Sequence, residues 1–266
     1  MKPKAELFSV TYSNYSEDLY KEIRKDTYGE DIGQNSWLTA DEYRDFFSLL
    51  KLSPGKKVLE IATGSGGPAA FMVKETGCKL SGIDINEEGV KNAKKLAEEN
   101  DLNEQLEFLY GDASEPLPFP DGSFDAVISI DSINHFKDRK KVLEEFKRVL
   151  KAGGQLLYTD PIVVTGILTN EEIAVRSSIG FFLFVPVGEN ERLLNDAGFK
   201  EIRSRDLTET IASVSIKWFY AREKRSEKLK QIEGEDNFIN LQSFFKIVHL
   251  LSSERRLSRI MFTALN

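Results

Sequence analysis

Val58-Leu59-Glu60-Ile61-Ala62-Thr63-Gly64-Ser65-Gly66-Gly67 is the stretch on which the fold turns. An apolar, β-favouring run carries one acidic residue, Glu60, and breaks at once into a loop of small residues. A strand that opens into a Gly-rich loop and then enters a helix brings backbone N–H groups close to a ligand. Glycine makes that approach feasible because it has no Cβ and accepts φ > 0. A nucleoside-triphosphate loop would end in Gly-Lys-Ser/Thr, whereas this one ends in Gly66-Gly67-Pro68. A carboxylate at Glu60 suits a cationic ligand group better than a pyrophosphate. The loop alone leaves a nicotinamide dinucleotide site and a plain tight turn open.

Outward from this loop the chain alternates. Strands are expected at Lys57–Ile61, Lys79–Ile83, Leu106–Leu109, Phe124–Ile130 and Gln155–Tyr158, with helices at Pro68–Lys74, Glu87–Asn100 and Arg139–Leu150. The last helix is the clearest, with Val142, Phe146, Val149 and Leu150 on one face. Strands alternating with helices of this length imply right-handed crossovers and a mostly parallel sheet, with ligands at the carboxyl ends of its strands. Before the loop, Thr39 is a candidate cap for a helix carrying Tyr43, Phe46, Phe47 and Leu50, and Ser53-Pro54-Gly55 is a turn. After Asp160 the regularity fails. Residues 161–190 read as apolar and irregular, Glu189–Ala197 as a helix, Phe199–Arg205 as a strand, 208–256 as mostly helical and Arg259–Ala264 as a last strand. The reading is one domain over 1–266: an N-terminal helical lid at 1–50, a core at 51–160, and caps at 161–190 and 208–256.

The totals set bounds. The 266 residues are 41% hydrophobic and 30% charged, with a formal net charge of −7. That balance disfavours a nucleic-acid partner. One cysteine, Cys78, allows no internal disulfide and fits a cytoplasmic setting. No apolar run reaches the roughly 18 residues needed to span a membrane, so no membrane insertion is expected. No metal-ligand cluster is expected. The totals leave the oligomeric state open.

Downstream acids sharpen the loop. Gly82-Ile83-Asp84 ends the second strand 18 positions after Gly66, where a carboxylate accepts ribose hydroxyls. Gly111-Asp112-Ala113 follows the third strand, where an Asp accepts from an adenine amino group. Each acid alone could also be a local cap. Together with Phe124-Asp125 and Leu150-Lys151-Ala152-Gly153-Gly154, this series over roughly 55–160 resembles the class I S-adenosylmethionine-dependent methyltransferases. The resemblance implies a Rossmann-like, doubly wound, mostly parallel α/β sheet of seven strands with an antiparallel last strand and helical cap inserts. It implies S-adenosylmethionine as cofactor and S-adenosylhomocysteine as product. The residues it assigns to the cofactor are Glu60, Ala62, Thr63, Gly64 and Gly66 at the methionyl end, Asp84 at the ribose, Ile85, Asp112 and Ala113 around the adenine, and Ile130 on the rim. One departure is Ala62, where the family usually has its first glycine.

The acceptor end begins at Ser129-Ile130-Asp131-Ser132-Ile133-Asn134-His135-Phe136. His135 is one of two histidines; imidazole titrates near working pH and suits a general base, and Asp131 is placed to orient it. A structural histidine at a strand–helix junction is the plain alternative. Asp-x-x-x-His here is similar to small-molecule N-methyltransferases of the phosphoethanolamine and glycine/sarcosine type, as is Tyr28-Gly29-Glu30-Asp31. In that group an upstream tyrosine closes over the site, and Tyr15 is the nearest candidate, with Tyr12 next. The phosphate-holding residues of that group are missing: Asp160 is followed by Pro161, and only Arg176 lies near Phe181-Phe182-Leu183-Phe184. That counts against a phosphobase.

The expected activity is methyl transfer to a small-molecule acceptor, an amine nitrogen first. C- or O-methylation of a quinone-, polyketide- or lipid-like acceptor is the runner-up. An NAD-dependent oxidoreductase and a non-catalytic cofactor-binding protein are the rivals from other classes.

Overall fold

A computed structural model describes residues 17–266. Two helices, α1 (Asp18–Tyr28) and α2 (Ala40–Leu49), precede the sheet. The first half of the sheet then alternates as β1 (Lys57–Ile61), α3 (Gly67–Thr76), β2 (Lys79–Asp84), α4 (Glu87–Glu99), β3 (Leu106–Tyr110), β4 (Phe124–Ser129), α5 (Arg139–Val149) and β5 (Leu150–Val164). The remainder runs α6 (Asn170–Arg176), β6 (Val185–Pro186), α7 (Glu189–Asp196), β7 (Lys200–Asp206), α8 (Thr208–Glu223), α9 (Ser226–Glu233), α10 (Glu235–Ser253) and β8 (Leu257–Leu265).

The spatial order is β3-β2-β1-β4-β5-β8-β7, with β6 beside β5. The strands from β1 to β5 pair in parallel, and β8 runs antiparallel to both β5 and β7. β1 lies mid-sheet, covered on both faces, so Val58, Leu59, Glu60 and Ile61 are all buried. α2, α3 and α4 pack on one face through Phe46, Phe47, Met72, Val73, Val90 and Ala93. α5 and α7 pack on the other through Leu143, Phe146 and Leu194. The caps have a core of their own, in which Trp37, Ile211, Trp218, Phe238 and Phe244 join α1, α8, α9 and α10. A buried pair, Arg222 to Glu233 at 2.6 Å, braces it.

Expected and observed elements differ where long-range pairing overrides the local pattern. β5 covers fifteen residues rather than four, because β8 pairs along it from Gln155 to Val164. Pro161, which has no N–H to donate, falls inside the register shift between Asp160 and Val163. The segment expected to be irregular contains α6, started by a capping box between Thr169 and Glu172. β6 adds an eighth strand to the seven implied. Thr39 caps α2 by accepting from the Glu42 N–H, as its position suggested. Tyr12 and Tyr15 lie outside the described residues. Among the described residues, no helix is long and apolar enough to cross a membrane.

Candidate active site

The loop after β1 is held from within. Ala62, Gly64 and Gly66 all have positive φ, at 59°, 57° and 76°. The Ala62 and Thr63 amides both donate to the Ile83 carbonyl, Gly64 to Asp84 Oδ2 at 2.8 Å, and Gly66 to the Thr63 carbonyl. These four N–H groups are spent inside the protein, which corrects the expectation of bare amides and is poor provision for a phosphate. A Cβ on Gly66 would sit 2.7 Å from the Ala93 Cβ and 3.0 Å from the Phe108 ring, so glycine is required there for packing as well as for φ.

Glu60 lies beneath this loop, 4% exposed. Its Oε1 accepts from the Tyr43 hydroxyl at 3.0 Å and its Oε2 from the Thr63 hydroxyl at 2.6 Å. Burial pushes its carboxyl up to about 7; the two hydroxyl donors oppose the rise and the charge of Asp84 adds to it. Asp84, also buried, accepts from Gly64 N–H and from Asn86 N–H, both at 2.8 Å. Each of its oxygens keeps a lone pair for a further donor. Ile85 and Tyr110, at the carboxyl ends of β2 and β3, are 62% and 63% exposed. Asp112 is exposed and caps its own turn through the Ser114 N–H; Ala113 is buried and Ile130 half-buried against the core. The loop thus sets a buried carboxylate that no described residue pairs with a cation beside a second, fixed carboxylate and an open apolar rim.

The acceptor rim is assembled from afar. Asp131, in the left-handed region at φ 52°, does not turn to His135 for its bonds. Its carboxylate accepts from the Trp37 N–H at 2.9 Å, the Thr159 hydroxyl at 2.8 Å and Arg259 Nε at 2.7 Å. Arg259, fully buried, also gives Nη1 to Glu42 at 2.6 Å. Among the described hydrogen bonds, the one that orients His135 joins Nδ1 to the Phe181 carbonyl at 2.8 Å. A carbonyl only accepts, so Nδ1 carries a proton, and in the neutral ring the lone pair is then on Nε2. Burial lowers the imidazole below its ordinary value of 6.5, with the Arg176 and Arg139 charges adding to the effect. The Phe182 ring stands 4.8 Å from His135, and the Arg176 guanidinium lies 4.7 Å over that same ring and 5.1 Å over Phe244.

Arg176 is 1% exposed, its Nη1 has no hydrogen-bond partner, and no carboxylate pairs with it among the described residues. Burial pulls it down to about 9 against the pull of Asp131 and Asp160. Asp160 is taken by Arg139, which binds its Oδ2 at 2.6 Å and the Leu183 carbonyl at 2.7 Å. Sequence reading missed Tyr43, Thr159 and Arg259. Tyr43 belonged to a recognisable apolar helix face, and nothing near Arg259 in sequence marks its partners 128 and 217 positions away.

A parallel sheet with its antiparallel strand next to the edge, bearing two acids at the carboxyl ends of neighbouring strands, defines a Rossmann-like nucleoside-binding fold. Residues 59–158 match the family described as Methyltransferase domain. The chain is 28% identical over 263 residues to 27-O-demethylrifamycin SV methyltransferase of Amycolatopsis mediterranei, covering 93% of this chain and 94% of that one. It is 30% identical over 193 residues to a sarcosine/dimethylglycine N-methyltransferase of Halorhodospira halochloris, covering 70% and 63%. Among solved structures, phosphoethanolamine N-methyltransferase 2 of Haemonchus contortus, bound to phosphomonomethylethanolamine and S-adenosylhomocysteine, shares the fold. That likeness has a TM-score of 0.79 at 20% identity over 97% of this chain and 60% of the other. With a methyltransferase domain over residues 59–158 and relatives of this kind, the chain is similar to the class I S-adenosylmethionine-dependent methyltransferases.

Proposed function

We propose that this enzyme methylates the nitrogen of a small amine that also carries a carboxylate. The observation that carries the reading is Arg176, a buried guanidinium that no carboxylate pairs with among the described residues, across the Phe182 ring from His135. A planar guanidinium binds a carboxylate through two parallel hydrogen bonds, and aromatic faces on either side stabilise an amine cation as well as the arginine. A buried unpaired cation is costly, and an anionic acceptor relieves that cost. The sarcosine/dimethylglycine relative, named for acceptors of this chemistry, supports the same choice.

S-adenosylmethionine supplies a methyl group already activated by its sulfonium. The chain's task is then positioning and proton removal. We assign Glu60 and the Ala62–Gly66 loop to the methionyl end, Asp84 to the ribose, and Ile85, Asp112 and Ala113 to the adenine, with Ile130 lining the rim. His135 Nε2 takes the proton from an ammonium acceptor, and Asp131 holds the strand end beneath it. Residues 161–190 bring Phe181 and Phe182 to His135, and the loop before α2 brings Trp37 to Asp131; both serve as cover that keeps water out. The acidic balance argues for a small cytosolic acceptor rather than a nucleic acid.

A second reading, O- or C-methylation of an apolar ring, is favoured by the aromatic walls Trp37, Phe182 and Phe244 and by the nearly full-length rifamycin relative. A screen with labelled cofactor, pairing each amino acid with its decarboxylated amine and adding phenolic rings, separates them. N-methylation of the amino acids, lost by roughly 10²-fold or more in Arg176→Met, is expected. Faster turnover of the decarboxylated amines or of the phenols overturns the proposal.

A further inference from the structure

The Glu60 carboxylate has a feature that cofactor contact alone does not explain: a side chain from outside the loop holds it. Tyr43 comes from α2, is fully buried, and gives its hydroxyl to Oε1, while Thr63 closes Oε2. No lysine, arginine or histidine pairs with Glu60 among the described residues. The titratable groups facing it are Tyr43 from α2, Cys78 just before β2 and Asp84 at the end of β2, and none of them is a cation. Enclosure and the second carboxylate favour the neutral form of Glu60, the two hydroxyl donors favour the charged one, and a positive charge brought beside it tips the balance to the carboxylate.

We propose that Tyr43 is a positioning residue for the cofactor site, and that capture of the cofactor's cationic methionyl end drives a proton off Glu60. The Glu60 O–H bond breaks, its electron pair stays on the carboxylate, and the proton passes to solvent. The inference rests on the assignment of Glu60 to the methionyl end made above. Two consequences follow from the geometry. Cofactor binding weakens as pH falls through the neutral range, because acid favours the form of Glu60 that must be abandoned. The Tyr43 hydroxyl, as a donor to the carboxylate, makes the proton easier to lose, so its removal moves that dependence to higher pH.

Titration calorimetry with S-adenosylhomocysteine, in two buffers of different ionisation enthalpy at pH 6, 7 and 8, reads the proton directly. Wild type is expected to release nearly one proton per site at pH 6 and little at pH 8. Tyr43→Phe is expected to bind several-fold more weakly at pH 7, to recover at higher pH, and still to release protons at pH 8. Thr63→Val gives the same displacement if Tyr43→Phe fails to fold. Glu60→Gln is expected to release none. A purely structural role for Tyr43 would weaken binding equally at every pH, and that result overturns the proposal. So does wild-type binding without proton release, or release that persists in Glu60→Gln. Undiminished affinity in Glu60→Ala would instead overturn the placement of the methionyl end itself.

Discussion

The two rims of the site are built by different means. At the cofactor rim, Glu60, Thr63, Gly64 and Asp84 lie within 25 positions of one another, tied by the Thr63–Glu60 and Gly64–Asp84 bonds beside the β1–β2 ladder. At the acceptor rim, Trp37, Asp131, Thr159, Arg176 with Phe181, and Arg259 converge from five separate places in the chain. The first rim is built mainly by one βαβ unit, with Tyr43 added from α2. The second is a property of how the caps sit on the sheet. Cofactor chemistry can therefore persist while acceptor chemistry changes, and the relatives here, one named for an oxygen and another for a nitrogen acceptor, differ in that way.

The sharpest way to break this contrast is at Arg259. Its guanidinium neutralises Asp131 and Glu42 in the interior, with distances of 2.7 and 2.6 Å. Arg259→Met leaves two buried carboxylates without their cation, which costs about 3–5 kcal/mol. Denaturant unfolding should show a loss of that size; under 1 kcal/mol would mean that the network holds nothing together. Next in size is His135→Ala. Turnover is expected to fall roughly 10²-fold with cofactor affinity unchanged, because the base acts on the acceptor alone. Calorimetry beside single-turnover kinetics separates the two, and equal losses in both would merge the rims into one.

The pH dependence sharpens the contrast without mutation. His135 must be neutral to act, and its value is depressed, so turnover at saturating cofactor should hold on acidification until below the ordinary histidine value of 6.5. Cofactor affinity should already decline near 7, where Glu60 titrates. Two limbs separated in this order are expected; a single limb common to kcat and affinity would assign both to one group.

The same contrast explains what could be read from the sequence. β1, β2, α3 and α4 were legible with boundaries good to a few residues, because glycine, proline and cap residues mark them locally. Glu60 and Asp84 followed from their places at strand ends. The length of β5 was not legible, since it extends by pairing with β8 about a hundred residues later, whereas α6 carried a local mark, the Thr169–Glu172 capping box, that the reading passed over. Asp131 was read as orienting His135 four positions on; its carboxylate bonds instead to Trp37, Thr159 and Arg259, all remote in sequence.

The smallest expected effect lies at the irregularity of the loop itself. Ala62 sits at φ 59°, a conformation that costs an alanine about 1–2 kcal/mol relative to its usual regions. Its N–H is committed to Ile83 at 2.8 Å, so the backbone cannot relax without disturbing the β1–β2 pairing. Ala62→Gly removes the strain but gives the unfolded chain more freedom, about 0.5–1 kcal/mol, so the net gain in stability should be roughly 0–1.5 kcal/mol. Cofactor affinity should change little, because Thr63, Gly64 and Gly66 keep the loop's hydrogen bonds. A gain in affinity larger than the gain in stability would show that the alanine methyl group intrudes on the cofactor. The irregularity would then be a brake on binding rather than a strain the fold absorbs.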